Sequence, residues 1–257
     1  MTTQTSSHSL IHLRGVGKTY DNGTIALQAV TTDIAQGSFV SLLGPSGCGK
    51  STLLRIIAGL ITPSSGTLAW PATGDVRPDD IGFVFQDATL MPWASVFDNV
   101  YLPLKLRGKM QKDVAPQIMD ALTRVGLADF SASFPRELSG GMKMRVSIAR
   151  ALVTRPPVLL MDEPFAALDE FTREKLDDDL LALWRAENWT VIFVTHSVYE
   201  SVYLSQRVLV MGARPGRILH DMVIDEPFPR GRAFRAKPAY HVQCAEISDM
   251  LRHDVEA

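Results

Sequence analysis

A glycine-rich segment that follows an apolar strand and opens an amphipathic helix constrains the fold of this chain more than any other feature. Residues 39–43 are mostly apolar, and residues 50–60 carry leucine and isoleucine at helical spacing. The joining segment matches the phosphate-binding pattern G-x-x-x-x-G-K-[S/T], with the residues Gly44, Pro45, Ser46, Gly47, Cys48, Gly49, Lys50, Ser51 and Thr52. We predict a loop whose backbone N–H groups turn inward around phosphate oxygens, because glycine permits the tight turns required.

Two side chains of this P-loop suit a nucleotide bound with magnesium. Lys50 brings a full positive charge to the phosphates, at a helix N-terminus that carries roughly half a charge of its own. Ser51 offers a hydroxyl to Mg²⁺. Cys48 occupies a variable position of the pattern, where we expect a small side chain that fits the loop.

A second apolar strand, at residues 158–161, ends in the adjacent carboxylates Asp162 and Glu163. Side chains alternate along a strand, so the two acids point in different directions. We expect Asp162 to orient Mg²⁺ and Glu163 to polarise an attacking water. This pair, in a chain without the guanine-reading sequence Asn-Lys-x-Asp, favours ATP as the nucleotide.

The remaining pattern predicts an α/β fold. Apolar strands separated by helices indicate a mostly parallel sheet covered on both faces, preceded by two strands at residues 11–20 and 25–34. Residues 96–152 turn helical, with breaks predicted at Pro103, Gly108, Gly126 and Pro135. We expect one domain over residues 10–224 with a helical subdomain inserted at about 89–155. Residues 225–257 form a C-terminal extension with a final helix.

Composition narrows the class of protein. A net charge of −2 gives no sign of a nucleic-acid partner. Two distant cysteines fit a reducing, cytoplasmic compartment, and the six histidines show no zinc spacing. The polar start of the chain predicts no signal peptide, and no apolar run reaches the ~20 residues of a membrane-spanning helix. At a membrane, this protein is expected to be peripheral.

The sequence Leu-Ser-Gly-Gly-Met at residues 138–142 lies between the P-loop and the acid strand, and with them the chain resembles the ABC ATPases. The resemblance implies a P-loop NTPase core with an antiparallel N-terminal β part. It implies that Tyr20 stacks on adenine, that Gln86 reaches Mg²⁺ and the γ-phosphate, and that His196 contacts the γ-phosphate. It also implies that the opposite subunit's γ-phosphate is capped by Ser139, Gly140 and Gly141, and that Asp169 belongs to a loop crossing the dimer interface.

Simpler alternatives exist for two of these residues. Tyr20 could be a core aromatic at a strand end, and His196 could be a structural histidine after an apolar strand. Two departures from the family pattern, Met142 for glutamine and Gln206 for aspartate, remove no group that the chemistry needs.

A narrower resemblance links the chain to the ATPases of nitrate, sulfonate and taurine importers. It rests on segments at residues 86–93, 142–147, 171–180 and 214–218. It implies a homodimer, a transmembrane permease, an indirect extracytoplasmic solute-binding protein, and a peripheral position on the cytoplasmic face of the inner membrane. Residues 90–93 would receive the permease, although they could equally be a hydrophobic loop folded onto the helical subdomain.

Two other functions stay open at this point. One is a soluble ABC ATPase without a role in transport, and the other is an ATP-binding regulator without hydrolysis. The transported solute is not determined, because the ATPase subunit does not touch it.

Overall fold

The computed structural model describes residues 9–70 and 80–256, with side chains described as far as residue 252. The sequence predicts no signal peptide at the start of the chain. Residues 1–8 of this start lie outside the described residues. Two compact units are present, one formed by Met1–Pro78 with Asn188–Ala257 and the other by Asp79–Glu187. The predicted domain boundaries stay predictions.

The helices and strands alternate as an α/β fold requires. In chain order they are β1 (Ser9–Thr19), β2 (Ile25–Ala35), β3 (Phe39–Leu43), α1 (Lys50–Ile57), β4 (Ser65–Ala69), β5 (Ile81–Val84), α2 (Val96–Leu106), α3 (Gln111–Arg124), α4 (Gly140–Leu152), β6 (Val158–Asp162), α5 (Glu170–Glu187), β7 (Thr190–Thr195), α6 (Val198–Leu204), β8 (Arg207–Gly212), β9 (Arg217–Val223), α7 (Arg232–Arg235) and α8 (Pro238–Glu256). Short 3₁₀ turns occur at Ala128–Phe130 and Pro135–Glu137.

The first unit is organised around β3. This strand pairs in parallel with β7 on one side and with β8 on the other, and β9 pairs antiparallel with β8. Every residue of β3 and β7 is buried, which explains their continuous apolar sequence. The same unit holds an antiparallel sheet with the strand order β2-β1-β4. The predicted mostly parallel sheet and antiparallel N-terminal part are therefore confirmed.

The second unit combines a parallel pair, β5 with β6, with the predicted helical segment. In this segment α4 packs against both α2 and α3. Buried Asn99 fixes the loop before α2, because its side-chain amide donates to the carbonyls of Met91, Ala94 and Ser95. Its Oδ1 also accepts from the Met91 N–H at 2.8 Å.

The predicted break at Pro103 is wrong, since α2 continues through it. Proline removes one helical hydrogen bond, yet its neighbours Val100 and Leu104 are buried and keep the helix packed. The chain turns instead at Gly108 and Gly126, which have left-handed φ angles of 73° and 70°. Sequence patterns also did not predict α6 or the edge strand β9, because α6 has only seven residues and β9, which has no buried residue, lacks a continuous apolar run.

No helix in the described part of the chain is long and apolar enough to cross a membrane.

The segment after β9 is attached to the first unit through a buried arginine. Arg230 is 7% exposed, and its guanidinium lies 4.1 Å from the ring centre of Phe228. Burial lowers its pKa to about 10, which leaves it charged at neutral pH. It donates to five backbone carbonyl oxygens, those of Val202, Tyr203, Ser205, Ile224 and Glu226. One side chain thus joins the end of α6 to the start of the C-terminal extension.

Arg230→Met should destabilise the protein by about 3 kcal/mol, because several buried carbonyls lose their donor at once. The measurement is the free energy of unfolding from urea denaturation at neutral pH. Arg232→Met is the matched control, since Arg232 is exposed on α7 and makes no hydrogen bond with any described residue. Equal stability of the two variants would contradict the anchoring role of Arg230.

Candidate nucleotide-binding site

The structure places the predicted site residues in two groups, one in each compact unit. The first unit holds Tyr20, the P-loop and His196. The second unit holds Gln86, Asp162, Glu163, Asp169 and the segment Ser139 to Gly141. Each group is described by itself.

The P-loop depends on glycine at three positions of its backbone. Gly47 and Gly49 have φ angles of 77° and 94°, in the left-handed region that other residues rarely adopt. A Cβ on Gly49 would lie 2.6 Å from the carbonyl oxygen of Ala26, and one on Gly44 would lie 2.5 Å from that of Met211. The predicted loop geometry is therefore present, and neighbouring strands hold it in place.

Lys50 lies inside this loop. Its side chain is buried, and the ammonium donates to the carbonyl oxygens of Gly44 at 2.8 Å and Pro45 at 2.9 Å. The N-cap residue of α1 is Gly49, which has no side chain that could cap the helix, so phosphate oxygens can take that role. A buried ammonium and a helix N-terminus make this loop a site for an anion.

Cys48 fills space beneath the loop. Its side chain is 1% exposed, and burial raises the pKa of its thiol. A raised pKa and lack of exposure make the thiol unreactive. This is the small side chain that the sequence predicts.

Tyr20 lies next to the helix that follows the P-loop. Its hydroxyl is 3.2 Å from Oγ1 of Thr52, and 36% of the residue is exposed. A core aromatic would be buried, so this exposure favours a ring available for stacking on a base.

His196 directly follows the end of strand β7, beside the P-loop. Strands β3 and β7 are parallel and in register, with Leu43 paired to Thr195, so Gly44 and His196 follow neighbouring positions at the same sheet edge. His196 is exposed, whereas Thr195 is buried and hydrogen-bonds the carboxylate of Glu200. The Ser197 N–H donates to Oγ1 of Thr195 at 3.0 Å. This network fixes the backbone on both sides of His196.

In the second unit, the register of strands β5 and β6 brings acidic and amide groups to the same edge. Strands β5 and β6 are parallel, with Val84 paired to Met161. Gln86 and Glu163 each lie two residues beyond that pair, so both emerge at the same edge. Asp162, at the end of β6, is buried, and Gln86 is exposed.

Two residues near this edge have unusual backbones. Glu163 has φ 46° and Thr89, three residues after Gln86, has φ 45°. A left-handed conformation costs a non-glycine residue on the order of 1–3 kcal/mol and persists only where surrounding contacts enforce it. The Ala166 N–H donates to the carbonyl of Glu163 at 3.2 Å, which closes a turn after the catalytic candidate.

Arg150 enforces the conformation at Thr89, and the sequence analysis did not single it out. From α4, its guanidinium donates at 2.9 Å to the carbonyl oxygens of Ala88 and Thr89 and to Oγ1 of Thr89. Burial lowers the pKa of Arg150. The loop that carries Gln86 is thus tied to the helix that begins after Ser139.

The residues predicted to cap a second nucleotide also have local structural roles. Ser139 is the N-cap of α4, and its Oγ accepts from the Met142 N–H at 3.3 Å. A Cβ on Gly141 would lie 2.8 Å from the Thr172 side chain on α5, so only glycine fits there.

Asp169 caps α5, because its carboxylate accepts the Thr172 N–H at 3.0 Å. This hydrogen bond holds the pKa of Asp169 below its usual value. Asp169 and the exposed Ser139 and Gly140 therefore lie close together, with the Leu168 side chain 3.5 Å from the Cβ position of Gly140.

The donor groups in these positions fit a nucleotide with magnesium. Mg²⁺ takes hard oxygen ligands and is usually held by one or two protein groups together with phosphates and waters. Ser51, in the first unit, carries a hydroxyl, and Asp162, in the second unit, carries a carboxylate; each is by itself a group of that kind. Among the described residues, no cluster of three or more His, Cys, Asp or Glu side chains could hold a metal alone.

Arg150→Met should release the loop after Gln86. We expect amide hydrogen exchange at residues 88–89 to accelerate at least about tenfold, since a lost charge-assisted hydrogen bond contributes roughly 1.5–3 kcal/mol. Lys143→Met on the same helix is the control, because the Lys143 side chain makes no hydrogen bond with a described residue. Unchanged exchange in Arg150→Met would mean that the loop is held by other contacts.

Comparisons with known proteins agree with this geometry. The family described as ABC transporter matches residues 27–166. The nitrate import ATP-binding protein NrtD of Synechocystis is 45% identical over 235 residues, covering 89% of this chain and 88% of that protein. The taurine import ATP-binding protein TauB of Rhizobium johnstonii is 43% identical over 241 residues, covering 91% and 90%.

Among solved structures, the ATP-binding cassette MJ0796 in a dimeric post-hydrolysis state with ADP and Pi superposes with a TM-score of 0.73. It is 35% identical in sequence, and the match covers 85% of this chain and 100% of that one. With the fold, the P-loop and these relatives in agreement, the chain belongs to the ABC transporter family of ATP-binding cassettes.

Proposed function

We propose that this chain is the ATP-binding and ATP-hydrolysing subunit of a membrane importer for a small solute of the nitrate, sulfonate or taurine kind. The observation that carries the proposal is the buried Lys50 ammonium inside a loop of left-handed glycines. The names of three relatives, the nitrate, taurine and aliphatic sulfonates import ATP-binding proteins, favour the importer over a soluble ATPase without transport.

ATP binding is assigned to the first unit. The backbone of residues 44–49 and the N-terminus of α1 receive the phosphates, and Lys50 neutralises their charge. Tyr20 stacks on the adenine, for which its exposure and its position near Thr52 are suited. Thr52 and Ser46 contribute hydroxyls to the same ligand.

Hydrolysis is assigned to groups that follow strand ends. Glu163 accepts a proton from the attacking water, and His196 contacts the γ-phosphate and stabilises the charge that develops there. Ser51, Asp162 and Gln86 would hold Mg²⁺, which supplies positive charge to the phosphates when bound. The strained turn at Glu163 and the Thr195–Glu200 network keep the two reacting side chains in fixed positions.

Closure of a homodimer completes the cycle. Ser139, Gly140 and Gly141 open α4, whose N-terminus attracts the γ-phosphate bound to the opposite copy. Asp169 lies in the loop that crosses to that copy. The dimeric state of the MJ0796 cassette with ADP and Pi supports this arrangement.

The permease is proposed to dock on the loop before α2. Trp93 is 77% exposed there, although Leu90 and Met91 are half-buried, and Asn99 holds the loop rigid. An exposed tryptophan on a rigid loop is typical of an interface anchor. The chain would thereby sit on the cytoplasmic face of the membrane, and the solute-binding protein would act on the opposite face without touching it.

Glu163→Gln should retain ATP binding but lose turnover by at least about 100-fold, because glutamine cannot accept the proton of the attacking water. With ATP and magnesium it should accumulate as a dimer in light scattering. Phosphate release measures turnover, and Glu246→Gln, an exposed position on α8, serves as the control. Wild-type turnover in Glu163→Gln would remove Glu163 from its role.

Trp93→Ala should weaken binding to the permease encoded beside this chain by about 30-fold, as expected for an interface anchor worth ~2 kcal/mol. Its basal phosphate release should stay unchanged. Leu106→Ala tests whether any exposed apolar side chain has this effect, since Leu106 is 79% exposed at the end of α2, the helix that follows this loop. Each variant is co-purified with the co-expressed permease, and the amounts of permease recovered are compared. Equal recovery with the two variants would mean that the permease docks elsewhere.

A further inference from the structure

The turn between β8 and β9 is fixed against the P-loop. In this turn the Gly216 N–H donates to the carbonyl of Ala26 at 3.0 Å, and the Gly216 carbonyl accepts from the Gln28 N–H at 2.9 Å. A Cβ on Gly216 would collide with the carbonyl of Cys48. The backbone of the turn therefore touches the P-loop directly and is held by β2, so its side chains have defined positions relative to the loop.

Arg214 extends from this turn toward the middle of the P-loop. Its Nη2 atom lies 3.7 Å from the position that a Cβ on Gly47 would occupy. Arg214 is exposed, and its guanidinium makes no hydrogen bond or ion pair with any residue that the structure describes. By contrast, Arg207 at the start of β8 binds Asp221, and Arg230 binds backbone carbonyls. Arg214 is thus an unengaged cation beside a loop built for anions.

We propose that Arg214 binds phosphate oxygens of the nucleotide in the P-loop, as a second cation beside Lys50. The proposal rests on the proposed function, since it requires ATP to bind there. A guanidinium has paired N–H donors whose spacing matches two oxygens of one phosphate, and such charge-assisted bonds are about twice as strong as neutral ones. Because the turn is anchored through Gly216, the backbone of residue 214 stays beside the P-loop while the exposed Arg214 side chain can rotate toward a bound phosphate.

The placement also explains why the turn carries glycine at residue 216. Glycine lets the backbone of β9 approach the carbonyl of Cys48, and this approach brings residue 214 beside Gly47. A larger residue would move the turn away from the loop and Arg214 with it.

The test compares Arg214→Ala and Arg214→Lys with wild type in equilibrium binding of ATP and of ADP. The measurements are made with EDTA, which prevents turnover. Arg217→Ala is the matched control, because Arg217 is exposed three residues further on and carries the same charge, and its side chain makes no hydrogen bond with a described residue. Thermal unfolding of each variant checks that it is folded.

We expect Arg214→Ala to bind ATP about tenfold more weakly than wild type, with Arg214→Lys in between and Arg217→Ala within about twofold of wild type. If only the affinity for ATP falls, Arg214 contacts the γ-phosphate. If the affinity for ADP falls equally, Arg214 contacts the inner phosphates. Either result supports the contact.

The proposed contact would be overturned if Arg214→Ala and Arg217→Ala bound ATP with the same affinity. Any loss of affinity would then reflect only a long-range effect of the lost charge. Failure of wild type to bind ATP, both with EDTA and with Mg²⁺ in its place, would instead contradict the proposed function.

Discussion

The register of two parallel strand pairs is the constraint on which the site depends. Pairing of Leu43 with Thr195 sets the start of the P-loop beside His196, and pairing of Val84 with Met161 sets Gln86 beside Glu163. The strands carrying these residues are buried, so a shift in register would expose apolar side chains to water. Hydrophobic burial of the sheet thus fixes where polar side chains emerge, although none of those side chains belongs to the apolar core.

Backbone groups, more than side chains, form the surfaces offered to phosphate. Left-handed Gly47 and Gly49 shape the P-loop, and Gly141 lets α4 approach α5. Two arginines hold the connecting segments by donating hydrogen bonds to backbone carbonyls. Arg150 holds the segment after Gln86, and Arg230 holds the segment after β9. A guanidinium can bind several carbonyls at once, so one side chain replaces the regular hydrogen bonds that irregular backbone lacks.

Local sequence patterns predicted most of the elements and the residue types of the site. Strand β3 was predicted with the same ends that the structure shows, because a continuous apolar run bounded by polar residues has one interpretation in a parallel sheet. The break at Pro103 was wrong and β9 was missed, since a packed helix tolerates proline and an edge strand without a buried residue lacks a continuous apolar run. Arg150 and Gly216 could not be assigned, because their partners lie far away in the chain.

The sequence alone predicted a phosphate-binding loop at residues 44–52 and an acid pair at the end of a strand, because both signals consist of consecutive residues whose chemistry is local. Only the tertiary structure decided which loops are held rigid, that Cys48 is shielded, and that Arg214 lies beside Gly47. Those properties depend on contacts between segments that are separate in the chain, such as the turn at Gly216 and strand β2. No local pattern encodes them, because burial of the whole core determines which distant segments meet.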